Sequence, residues 1–138
     1  MELYEFDSVL FPLNCVTLVK GNFGHATLQK AQEVGASLLA LKGMAWTSWE
    51  NTAEGRSDWP KCWYQPISDP ELARLALGFT LDLPVTAVVP PGDWRAFEMA
   101  LEIAPTHQGL SDEDRSRLEA RMATAAPIFT TDEDDADP

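Results

Sequence analysis

Two short stretches stand at the ends of apolar runs. Gly43, in Lys42-Gly43-Met44, could let a cofactor approach closely, and Pro90-Pro91-Gly92-Asp93 could hold a phosphate. Strand, tight turn and helix N-terminus, as at the second stretch, is an arrangement whose free backbone N–H groups bind anions. Asp93 opens the helix after the second turn, and its carboxylate caps the same N–H groups that a phosphate would use. The plainer alternatives are a capped strand-to-helix connection at Pro91–Asp93 and a simple strand end at Gly43.

Other candidates are aromatic. The loop Ala45–Pro66 carries Trp46, Trp49, Trp59, Trp63 and Tyr64. Such rings could wall a substrate site, with Trp46 and Trp49 nearest the first stretch, or pack the loop onto the core. Asn14, at the end of an apolar run, is placed to face a ligand at the mouth of the fold. His25 and His107 are lone histidines. Cys15 and Cys62 form no Cys-x-x-Cys pair and have no histidine beside them, so no zinc site is expected.

The elements that position these residues follow from pattern. Ser8–Asn14 and Ser37–Lys42 read as strands covered on both faces, and Val85–Val89 as a third. His25–Val34 reads as a helix closed by Gly35. Asp69-Pro70-Glu71 is an N-cap, a first-turn proline and a first-turn acid, opening a helix over 70–81 that puts Leu72, Leu75, Ala76 and Phe79 on one face. Asp93 starts the next helix. Ser111-Asp-Glu-Asp114 resembles a capping box and starts the last one, which ends near Thr124. Gly43–Ser68 reads as a long loop. Alternating strands and helices predict parallel βαβ units, that is, an α/β fold with about three parallel strands and covering helices.

Composition narrows the function classes. The chain has 138 residues, 45% apolar, enough for one packed domain. Its net charge of −12 and pI near 4.3 leave no basic stripe for nucleic acid and disfavour an anionic membrane surface. Residues 1–126 read as the domain, and 127–138 as an acidic, solvated tail carrying Asp132, Glu133, Asp134, Asp135 and Asp137. The first residues, MELYEFD, have no signal-peptide pattern, and no apolar run reaches the ~20 residues of a spanning helix. A cytoplasmic protein with reduced thiols is the expectation.

Taken in order, SVLFPLN, a helix ending in EVG, ASLLALKGMA, DPELARLALGFTLDLP and VTAVVPPGD resemble the C-terminal part of the aldo/keto reductase family. The resemblance runs from about Phe6 to Ala104. It implies a partial (β/α)₈ TIM-type barrel holding strands six to eight, where a whole barrel needs about 250 residues. It implies NADP or NAD as cofactor, with Pro90, Pro91, Gly92, Asp93 and Arg95 on the adenosine phosphate and Lys42, Gly43 and Met44 along the pyrophosphate. Three positions depart from the family pattern. Leu10 stands where a glutamine commonly holds the nicotinamide carboxamide, Leu41 where an aromatic often stacks on the ring, and Asp93 brings a negative charge to the phosphate site. The family's catalytic Asp, Tyr, Lys and His have no counterparts here, so no catalytic residue is assigned. Hydride transfer to a carbonyl needs a general acid, and neither Tyr4 nor Tyr64 has an evident partner in sequence.

Three functional expectations follow. The chain is the cofactor-binding part of an NAD(P)-dependent oxidoreductase, acting with a missing N-terminal half. Alternatively it is a non-catalytic half-barrel that closes its open strand edges by forming a homo-oligomer. The third reading is a small-molecule binding module built on the tryptophan-rich loop.

Overall fold

The computed structural model describes residues 4–49, 55–89 and 91–131. The first apolar run forms β1 (Ser8–Pro12). The chain then turns into a short helix, α1 (Cys15–Val19), in a segment to which the sequence pattern assigns no element. The β-branched segment is helical because burial outweighs propensity: Cys15, Val16, Thr17 and Leu18 all enter the core. Helix α2 (His25–Val34) ends at Gly35 in the left-handed conformation, φ 70°, as its cap position predicts. It returns the chain to β2 (Ser37–Leu41), parallel to β1 with Ser8 opposite Ser37 and Pro12 opposite Leu41.

The stretch read as a long loop contains an antiparallel pair, β3 (Ala45–Ser48) and β4 (Tyr64–Pro66), with a register shift between Ala45 and Thr47. Helix α3 (Pro70–Leu81) is capped by Asp69, whose carboxylate accepts from Leu72 N at 2.7 Å. Strand β5 is shorter than its apolar run: only Ala87–Val88 pairs with β2, and Thr86 bonds Leu38 through both backbone and side chain. Two helices follow, α4 (Trp94–Ile103) and α5 (Asp112–Met122), the latter opened by a full capping box between Ser111 and Asp114.

The main sheet is three parallel strands in the order β1-β2-β5. That is the expected α/β arrangement, and the described residues close no barrel. Alternation along the strands separates two faces. One face, with Phe11, Leu38 and Ala40, packs against Leu13, Leu18 and Ala31. The opposite face holds Leu10, Leu39, Leu41 and Ala87. There Leu10 is 54% exposed, Leu39 and Leu41 are half-buried, and Ala87 is exposed. A second core joins α3 to α4 and α5 through Leu72, Leu75, Leu77, Ala96, Leu118 and Met122.

Residues 127–131, placed by sequence in the solvated tail, are docked on the fold. Phe129 stacks on Phe23 with ring centroids 5.4 Å apart, and Thr131 N donates to Gly21 O at 3.0 Å. The Lys20 ammonium donates to the carbonyls of Met122 and Ala123, both at 3.0 Å, closing the C-terminal end of α5. Packing on the fold therefore reaches Thr131 among the described residues, and the run of acids after it lies outside them.

Candidate functional site

Because β2 and β5 are parallel neighbours, the residues that follow them emerge at the same edge of the sheet. Open α/β sheets bind ligands at that carboxyl edge. A recess of about 60 Å³ lies there, lined by Lys42, Gly43, Met44, Pro91 and Gly92, with Tyr64 of β4 as a further wall. Thus five of the residues predicted to lie along a cofactor meet at one place. Pro90, predicted with them, lies outside the described residues.

Lys42 is the charged member of the recess. Its backbone is in the left-handed region, φ 70°, an uncommon conformation for a residue with a side chain. Its ammonium lies over two aromatic faces, 4.4 Å from the Tyr64 centroid and 5.1 Å from that of Trp63. Burial lowers its pKa below the ordinary lysine range, opposed weakly by Cys62. Among the described residues no carboxylate lies within ion-pair distance of it.

Asp93 and Arg95 do not line the recess; they bind each other. The Asp93 carboxylate accepts from Arg95 N at 3.1 Å, capping α4, and from the guanidinium Nε at 3.0 Å. A second guanidinium nitrogen reaches the other Asp93 oxygen at 3.0 Å and Asp58 O at 2.6 Å. The Arg95 guanidinium also lies 3.8 Å from the Trp59 ring centroid. The hydrogen bonds from Arg95 lower the Asp93 pKa below the usual carboxylate range. Arg95, predicted to meet a cofactor phosphate, is instead committed to Asp93, Asp58 and Trp59. The same pairing offsets the negative charge that Asp93 brings to the helix start.

The predicted substrate residues all make contacts within the fold. Asn14 is 1% exposed. Its Oδ1 accepts from Thr17 N at 2.9 Å and its Nδ2 donates to Lys42 O at 3.2 Å. It caps α1 and fixes the Lys42 backbone. Trp46 packs half-buried against the main core. Trp49 donates from its indole Nε1 to Cys62 O at 2.9 Å, tying down the aromatic segment.

The two glycines of the recess differ. A Cβ on Gly43 would lie 2.7 Å from Val88 Cγ1, so this glycine lets the chain cross β5. A Cβ on Gly92 would meet nothing within 4 Å, and its side of the recess is open. Met44 is buried and anchors the floor.

Sequence reasoning missed Tyr64 and Trp63 as neighbours of Lys42. The signal was present as Cys62-Trp63-Tyr64, but only the β3–β4 pairing brings it beside the end of β2. Burial, with Cys62 beside it, pushes the Tyr64 hydroxyl up to about 12. Burial likewise raises the Cys62 thiol, and Cys15 to about 12, so neither is a ready nucleophile. Among the described residues no group of three or more His, Cys, Asp or Glu is placed to hold a metal ion. None of their helices is long and apolar enough to cross a membrane.

Comparison of this chain with protein-family models, with curated proteins and with solved structures finds no match.

Proposed function

We propose that this chain is the cofactor-side part of an NAD(P)-dependent carbonyl or alcohol oxidoreductase of the aldo/keto reductase type. Its recess at the carboxyl edge takes the phosphate end of the dinucleotide, which when bound would supply the hydride. The observation that carries this reading is the meeting of Lys42-Gly43 with Pro91-Gly92 around one ammonium that lacks a carboxylate partner among the described residues. A recess of about 60 Å³ suits a phosphate group and not a whole dinucleotide. The nicotinamide end therefore needs walls from elsewhere.

The chain's own chemistry agrees with a partial role. The protonated Tyr64 hydroxyl is made a weaker acid by burial, whereas a proton donor to a developing alkoxide works best with a pKa near the operating pH. Lys42 lies over the Tyr64 ring face and does not reverse this. Turnover is accordingly assigned to a complex with an N-terminal half. The test is a ¹⁵N spectrum of the labelled chain titrated with NADPH. Saturable shifts at Lys42, Gly43 and Gly92 support the reading; absence of site-specific shifts at millimolar cofactor refutes it.

A second reading, a self-associating half-barrel without catalysis, is favoured by the uncovered apolar row Leu10, Leu39, Leu41 and Ala87 and by the outer edges of β1 and β5. It predicts an oligomer that buries this face and no nucleotide affinity.

A further inference from the structure

Behind the recess, between α3, α4 and the end of β5, lies a cavity of about 210 Å³. Its walls include Leu77 and Leu81 of α3, Val88 of β5, and Phe97 and Leu101 of α4, and every described lining residue is apolar. Met44, Val89 and Pro91 line both this cavity and the recess that holds Lys42. An apolar chamber thus adjoins a polar mouth. The mouth presents an ammonium with no carboxylate partner among the described residues, in a chain whose net charge is −12.

We propose that recess and cavity together bind an amphipathic carboxylate, its head on the Lys42 ammonium and its alkyl chain between α3 and α4. Charge complementarity selects the head group. Lys42 is held on two rings that cannot neutralise it, so a carboxylate would supply the missing counter-ion. Size and lining select the body. A dry apolar cavity of about 150 Å³ holds a benzene-sized molecule, so this one has room for a short alkyl chain. A second negative charge or a polar chain would meet a mostly apolar lining in the cavity and lose much of its hydration without replacement. This site does not depend on the cofactor reading, because its readout needs no nucleotide.

The test is calorimetric titration of the full chain with butanoate, hexanoate, octanoate and octan-1-ol, without nucleotide. Affinity should rise about fourfold for each added CH₂. Lys42→Gln should weaken octanoate about tenfold and leave octan-1-ol within about twofold. Ala100→Leu, which narrows the cavity, should flatten the dependence on chain length. Binding that ignores chain length, equal losses for acid and alcohol in Lys42→Gln, or no saturation up to the solubility limit would each overturn the proposal. Should either variant fail to fold, nuclear Overhauser contacts between octanoate and the wild-type Phe97 ring decide: their presence supports the site, and their absence at saturation removes it.

Discussion

Gly21→Ala should detach the C-terminal strap from the mouth of the fold. Gly21 is not glycine for the sake of its backbone angles. A Cβ there would lie 2.6 Å from Thr17 O, 3.1 Å from Pro127 Cβ and well inside contact distance of Phe129 O. Phe129 O is backbone of the strap and Thr17 O backbone of α1, and neither can rotate away, so residues 127–131 must move and the end of α1 must give as well. The loss then comprises the Phe23–Phe129 stack and the Trp63–Phe129 edge contact, about 0.5–1.5 kcal/mol each. It also comprises the bonds from Thr131 to Gly21 O and Asn22 O, the second of them exposed, together about 1 kcal/mol at the low end of about 0.5–1.5 kcal/mol each. Together they come to about 3 kcal/mol, a large share of the roughly 5–15 kcal/mol that holds a domain together. With a urea slope of roughly 1–2 kcal/mol/M for a domain of this size, the midpoint should fall by about 2 M, followed by tryptophan fluorescence. Phe129→Ala should add little on the Gly21→Ala background, since both remove the same contact. A loss under about 0.5 kcal/mol, or full additivity of the two changes, would refute the view that the strap is held through Gly21.

Other consequences follow from the same coordinates. Asn14→Ala should cost about 2–3 kcal/mol in urea unfolding, because it removes a buried helix cap and leaves Lys42 O without its donor. Gly43→Ala should destabilise through Val88, whereas Gly92→Ala should leave the unfolding free energy from urea titration within about 0.5 kcal/mol of wild type. Hydrogen bonds from Arg74 hold the Asp114 carboxyl at about 2, below its ordinary value of about 3.9. That contribution is fully present above about pH 4 and is lost as pH falls toward 2. The urea midpoint should therefore drop between about pH 4 and pH 2, and Asp114→Asn should make that drop shallower.

The local signals in the sequence were good where one residue acts through its own neighbours. Asp69, Asp93 and Ser111 announced three helix starts, and Gly35 one helix end, because capping is decided within four residues. The parallel order of β1, β2 and β5 was legible because their apolar runs alternate with helices. Helix α1 was not, since Val16 and Thr17 favour a strand and their burial, with that of Cys15 and Leu18, makes the segment helical. The β3–β4 pair was hidden for a different reason. It joins segments of four and three residues across a wide gap, with a register shift, and leaves no period to read. At the site, Lys42, Gly43, Pro91 and Gly92 line one recess because β2 and β5 are parallel neighbours. The partners that decide their chemistry, Tyr64, Trp63 and the Asp93–Arg95 pair, are tertiary contacts with no fixed spacing.

The most direct test of the central claim is titration of the purified chain with NADPH and with NADH. Cofactor and tryptophan fluorescence report binding, and light scattering on the same sample reports the mass. A phosphate site at Lys42, Gly43 and Gly92 predicts saturable binding that Lys42→Gln weakens about tenfold. No binding at millimolar cofactor, together with a dimer mass, would contradict the cofactor account and leave the self-associating half-barrel in its place.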